Sequence, residues 1–221
     1  MNFTEKAFRF LIENKLSDSR EYFAANKPTY TKYVLEPLVD LVTALSPAII
    51  KIDSEIKTEA KVDKTISRIY RDTRFSNDKS LYRQNMWIVF SRDKNRPELP
   101  AFYADISPEG VKYGMGYYYL SLNHMNTIRE KIDNKSKDFI KVDADYRNQN
   151  IFTLCGDKYI KTKYKGENKE YAEWYDRKVL YFEASITDFD IIYSDKLAKI
   201  IAKDYAKLES AYNFFLKVSE V

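Results

Sequence analysis

The sequence predicts an α+β protein: N-terminal helices, a central and largely antiparallel sheet, and a long C-terminal amphipathic helix. Three observations carry that reading. Apolar residues recur at helical spacing up to Leu45, fall into short alternating or compact runs through the middle, and return to helical spacing from Leu197 onward. Turn-forming residues separate the middle runs, above all Ser107-Pro108-Glu109-Gly110. Helices and strands are segregated rather than alternating, which argues against repeated βαβ units.

Taken in order, Thr4 stands as the N-cap of a first helix in which Phe8, Leu11 and Ile12 share a face. Asp18-Ser19-Arg20-Glu21 has the spacing of a capping box and opens a short second helix through Phe23. Beyond Pro28, the residues Tyr30, Tyr33, Val34, Pro37, Leu38, Leu41, Val42 and Leu45 form one apolar stripe. Pro37 must kink or restart that helix, and Ser46-Pro47 is expected to end it. Ile50, Ile52, Ser54 and Ile56 alternate with charged residues as a strand would. Met86 to Phe90 reads as a buried strand, and Phe102–Ile106 with Val111–Leu120 as a hairpin. Leu122, Met125, Ile128, Arg129 and Ile132 mark a helix, and Ile151–Leu154 and Val179–Ile186 further strands. Asp143 and Asp145 read as solvated loop charge. The final helix places Leu197, Ile200, Ile201, Tyr205, Leu208, Tyr212, Phe215 and Leu216 on one face, to be laid on the sheet rather than on a membrane. No repeat or linker interrupts the chain, so residues 1–221 are expected to form a single domain.

Apolar content of 44% is enough for a sizeable core. The single cysteine, Cys155, rules out an intramolecular disulfide and any zinc site built on paired cysteines. With one histidine, His124, metal sites needing two are excluded, and a capping or packing role suits its place near a helix start. No basic leader precedes an apolar run, and no stretch approaches the roughly 18 apolar residues of a membrane span. A cytoplasmic protein with no membrane partner is the expectation. Gly114-x-Gly116 lacks the third glycine of a dinucleotide fingerprint, and no phosphate-binding lysine loop is present, so neither motif names a cofactor and its identity stays unknown. Close backbone packing in a strand accounts better for Gly114 and Gly116.

Of 37 basic and 33 acidic residues, seven and three fall between positions 61 and 85, so the whole formal excess of +4 sits there. A local basic cluster on a neutral body points to a local anion site more than to a broad nucleic-acid surface. Within it lies Arg68-Ile-Tyr-Arg71-Asp72-Thr-Arg74-Phe75-Ser76-Asn-Asp78-Lys79-Ser-Leu-Tyr82. This stretch resembles a family of uncharacterised proteins, the domain of unknown function 2461, at every fixed position of the form R-x-x-R-D-x-R-F-S-x-D-K-x-x-Y. Asp18-Ser19-Arg20-Glu21-Tyr22-Phe23 with Asn26-Lys27, Gly114-Met115-Gly116-Tyr117 and Arg129 also look like family features. The resemblance implies membership over nearly the whole chain and brings no activity with it.

The chemistry must come from the residues. Arginine offers a rigid fork of donors for carboxylate or phosphate. As a strand, residues 66–73 put Arg68, Tyr70 and Asp72 on one face and Ile69 and Arg71 on the other; as a helix, Arg68, Arg71, Asp72 and Phe75 share one. The leading expectation is an anionic, phosphorylated small molecule held by Arg68, Arg71, Arg74, Lys79 and Arg129. Asp72, Asp78, Lys79 and Tyr82 are the catalytic candidates, because proton transfer would fall to carboxylate, lysine or tyrosine. Asp72, Asp78 and Asp105 could also hold a hard cation jointly, but no metal is assigned. One alternative is nucleic-acid binding, with tyrosines among Tyr113, Tyr117, Tyr118 and Tyr119 stacking on bases, although alternation sends about half of them inward. The other is an internal ion-pair network that anchors a long loop. If a ligand site exists, Arg68 and Asp72 are expected to be structural and Arg71 and Arg74 to face the ligand.

Overall fold

A computed structural model describes residues 2–74 and 76–220. Along the chain run α1 (Glu5–Ser17), α2 (Arg20–Tyr30), a π-helical turn (Thr31–Leu35), α3 (Glu36–Ile52), β1 (Met86–Phe90), β2 (Ala101–Ser107) and β3 (Gly110–Gly116). There follow α4 (Leu122–Asp133), α5 (Lys137–Arg147), β4 (Thr153–Cys155), α6 (Ala172–Tyr175), β5 (Tyr181–Ile186), α7 (Phe189–Ile192), α8 (Lys196–Tyr205) and α9 (Glu209–Ser219). The strands form one five-stranded antiparallel sheet in the order β1-β2-β3-β5-β4. The class is α+β, as the patterning predicts. The chain divides into two compact units: Met1–Phe90 with Tyr103–Tyr113 and Ser185–Ala202, and Ser91–Phe102 with Gly114–Ala184 and Lys203–Val221.

In the first unit, α1 buries Phe8, Phe10 and Leu11, and α3 buries Leu38, Leu41, Val42, Leu45 and Ile49. Several expectations fail here. Pro47 does not end α3, which continues to Ile52. The buried stripe carries on past the proline to Ile49, and burying such a side chain is worth about 1.5–3 kcal/mol, more than one lost backbone hydrogen bond. The alternation of Ile50, Ile52 and Ile56 is therefore not a strand; Ile50 is exposed and only Ile56 of the three is buried. Helical structure is continuous from Arg20 to Ile52. That is apolar and long enough to cross a membrane by length and composition, more than the sequence reading allowed. Its apolar face, however, is the core of this unit. The second capping position is also one residue off: Ser19, not Asp18, caps α2 by accepting from the Tyr22 amide.

In the second unit, Phe139, Trp174, Phe182 and Phe215 form an aromatic core with edge and stacked contacts. Asp143 is not loop charge. It lies on α5, buried, accepting from the Trp174 indole at 2.8 Å and pairing with Arg147 at 2.9 Å. A Cβ on Gly114 would fall 1.8 Å from the Phe182 carbonyl oxygen, so close strand approach explains this glycine. Tyr117 is buried and donates to the Phe215 carbonyl, whereas Tyr118 and Tyr119 are exposed. The C-terminal amphipathic run is helical from α8 through a 3-10 turn at Ala206–Leu208 into α9.

Candidate functional site

The arginine-rich segment belongs to the first unit. Its approach is an irregular rib along β1: the Ser67 amide donates to the Trp87 carbonyl and the Val89 amide to the Thr65 carbonyl. The motif then opens and closes as a short antiparallel pair. The Arg71 amide donates to the Leu81 carbonyl at 2.8 Å and the Arg83 amide to the Ile69 carbonyl at 3.1 Å. Tyr70 and Tyr82 face each other across this pair, with rings 5.1 Å apart, and Tyr82 stacks on Phe23. Period-2 geometry sends Arg71 to the opposite face. The extended alternative is thus the one adopted, and the loop between, residues 72–80, carries the charges. Phe75 lies outside the described residues.

Helix α1 straps this loop down. Its C-cap, Asp18, takes the left-handed conformation at φ 44°, which aspartate tolerates better than most residues. One oxygen of Asp18 accepts both the Leu81 amide at 2.7 Å and the Tyr82 amide at 3.2 Å. One turn earlier, Lys15 donates to the Ser80 hydroxyl and lies 3.9 Å from Asp78. Arg71 meets the same Asp78 oxygen at 3.1 Å. Two cationic side chains, 28% and 27% exposed, therefore converge on one carboxylate that is 53% exposed. The Arg71 Nε is buried with no acceptor among the described residues.

The other motif cations lie differently from expectation. Arg68 and Arg74 are in solvent, at 67% and 77% exposure, paired with Asp63 and Asp72. Arg71 is the enclosed one. The expected split, with Arg68 structural and Arg71 and Arg74 alike, is therefore corrected: alternation along the extended rib sets Arg71 inward, and Arg74 falls in the exposed loop. Lys79 donates to the Thr73 carbonyl at 2.8 Å, bracing the loop on itself. Arg129 belongs to the second unit, where it is buried and donates to the Tyr175 and Arg177 carbonyls and to Asn126.

Among the catalytic candidates, Asp72 is held down to about 2, chiefly by hydrogen bonds from Arg74. Asp78 is lowered by the Ser80 amide first, then by the Ser80 hydroxyl, Arg71 and Lys15. A carboxylate as acidic as Asp72 is a weak general base at neutral pH, and both aspartates suit orientation of cations instead. Tyr82 is wholly buried, and burial followed by the nearby Tyr70 hydroxyl pushes it up to about 12. Asp105 accepts from Asn85 at 2.9 Å, and no group of three or more possible metal ligands, Asp72, Asp78 and Asp105 together included, occurs among the described residues. A cleft of about 390 Å³ in the same unit is lined by Phe3, Pro37, Leu41, Ile192, Leu197 and Lys199 with their neighbours, none of them a motif residue.

Sequence reading missed Lys15, Asp18 and Ser80 as members of this site. The available signal was that the two regions of family likeness, around residues 18–27 and 68–82, lie far apart in sequence; the Asp18 contact to Leu81 and Tyr82 is where they meet.

Fold and site together define an α+β protein in which a charged loop, residues 72–80, is strapped to the first helix. The chain belongs to DUF2461, a family of conserved hypothetical proteins, whose profile matches residues 6–214. No curated protein matches it.

Proposed function

We propose that the segment binds a small anionic molecule, one bearing phosphate or carboxylate, through Arg71 and Lys15 rather than through all the motif cations. The observation that carries this is the half-buried pair of cations sharing the single carboxylate of Asp78, with the buried Arg71 Nε still without an acceptor. A local excess of positive charge out of bulk water attracts an anion more strongly than exposed charges do. Ser76 and Ser80, beside Arg71 and Lys15, add hydroxyl donors. Asp78 orients the two cations. The reading is of binding in a cytoplasmic protein and leaves catalysis unassigned.

Thermal-shift titration with inorganic phosphate and small dicarboxylates tests it, using wild type, Arg71→Met and Lys15→Met. Wild type should gain stability with anion concentration and both variants should lose that gain. Equal responses in all three proteins remove the proposal. A second reading, a purely structural ion-pair network, is favoured by the Asp18 strap. It calls for large stability losses in both variants and no anion response in any protein. Single-stranded DNA, run alongside at two salt concentrations, checks for a nucleic-acid partner through its steep salt dependence.

A further inference from the structure

The second unit presents an exposed loop that the proposed anion site does not use. Lys158-Tyr159-Ile160-Lys161-Thr162-Lys163-Tyr164-Lys165 carries four lysines and no carboxylate. The loop is held at both ends by one buried residue. The Tyr159 amide donates to the Asp176 carbonyl at 2.9 Å, and the Lys163 and Tyr164 amides donate to the Asp176 carboxylate at 2.7 and 3.3 Å. Between these anchors project Ile160, Lys161 and Thr162, and Ile160 is entirely exposed. Beside the tip, Lys163 lies 3.5 Å from the Tyr159 ring centroid, Lys178 5.4 Å and Arg129 5.7 Å.

A wholly exposed isoleucine costs nothing to find singly on a surface. One fixed at the tip of a braced loop that carries four lysines is a different matter, because both features are satisfied by the same partner. We propose that this loop docks on an anionic phospholipid surface, with Ile160 entering the headgroup region and Lys158, Lys161, Lys163 and Lys178 meeting lipid phosphates. Basic side chains near an anionic leaflet are attracted to it, and the apolar tip gains by leaving water. Nucleic acid fits less well. Its sequence-tolerant binding uses open aromatic faces, whereas Tyr164 is buried and Lys163 stands over Tyr159. The expectation of no membrane partner came from spanning segments and from the C-terminal helix, and a short surface loop gives neither signal.

Co-sedimentation with phosphatidylcholine vesicles, with and without phosphatidylglycerol, decides the matter, beside fluorescence polarisation with a single-stranded oligonucleotide. Wild type should bind the anionic vesicles and not the neutral ones. Ile160→Ser should weaken binding about tenfold, from the apolar surface it removes. The double variant Lys158→Glu/Lys161→Glu should weaken it at least about tenfold, from charge reversal. Both changes lie at exposed positions, so melting temperatures should match wild type. Arg9→Met, which removes an exposed cation of the other unit, should bind vesicles as wild type does. Equal binding to both vesicle types, no effect of Ile160→Ser, or tighter binding to the oligonucleotide than to vesicles would each overturn the proposal.

Discussion

Replacing Asp18 with alanine should cost about 3 kcal/mol of stability, nearly all of it from two backbone amides. The Asp18 carboxylate oxygen accepts from Leu81 at 2.7 Å and from Tyr82 at 3.2 Å. Hydrogen bonds to an ionised acceptor are worth about 1.5–3 kcal/mol each, and the longer one belongs at or below the bottom of that range. Alanine also keeps the left-handed backbone at φ 44°, so nothing is recovered there. Glycine loses the same two bonds but is at ease in that conformation, and Asp18→Gly should be milder by about 1 kcal/mol. Asp18→Asn retains an acceptor without the charge and should cost about 1 kcal/mol. Urea denaturation of the three variants gives these differences, with the slope unchanged if unfolding stays two-state. Hydrogen exchange supplies a local readout, because the Leu81 and Tyr82 amides should lose protection in Asp18→Ala before the rest of the unit does. An alanine cost below about 1 kcal/mol, or asparagine worse than alanine, would refute the claim that α1 straps the loop through this carboxylate.

Arg68→Ala and Arg74→Ala should each shift stability by less than about 0.5 kcal/mol, since their ion pairs are exposed, while Arg71→Ala should lose about 1–2 kcal/mol; chemical denaturation of the three ranks them. Gly114→Ala should destabilise by roughly 3 kcal/mol or more, because the added methyl meets the Phe182 backbone; a thermal melt checks it, and a change within error would contradict the close strand approach. Alkaline pH should weaken the fold between about 10 and 12. Burial, and then Tyr70, raises Tyr30 to about 12, so the unfolded chain releases that proton first as pH rises. The contribution, present below the unfolded value, amounts to about 3 kcal/mol by the upper limit, and Tyr30→Phe should flatten the profile.

The class and most elements were legible because patterning reports burial directly. Met86 to Phe90, the hairpin around Ser107–Gly110 and the helix from Leu122 all carry strong local signals. The failures are tertiary. Pro47 looks like a terminator until one knows that Ile49 is needed in the core. Asp143 looks solvated until Trp174 supplies its partner. At the candidate site, the motif identified the segment, and charge counting found the local excess. Neither could say that Arg71 turns inward while Arg68 and Arg74 do not. Pairing of residues 69–71 with 81–83 decides that, and the loop closing it has no periodicity to read. Lys15 and Asp18 were invisible as site residues because their contact spans more than sixty positions of sequence.

The π-helical turn at Thr31–Leu35 lets the long N-terminal helix carry one residue more between its two packed faces than a regular helix would. Here the Glu36 amide reaches back five residues to the Thr31 carbonyl, one more than in an α-helix. The widened turn precedes Pro37, whose ring would crowd a regular backbone. It also offsets the two amphipathic halves: Phe23 and Tyr30 meet Phe10 on one side of the turn, and Leu38 to Ile49 fill the core on the other. Straightening the turn into α-helix with its residue count kept would rotate one half against the other by about 100°, whereas deleting one residue there would give a regular helix with both halves still in phase. A single-residue deletion within residues 31–35 is therefore expected to cost less stability than the same deletion inside α2 or α3, a difference that thermal melts of the deletion variants would read.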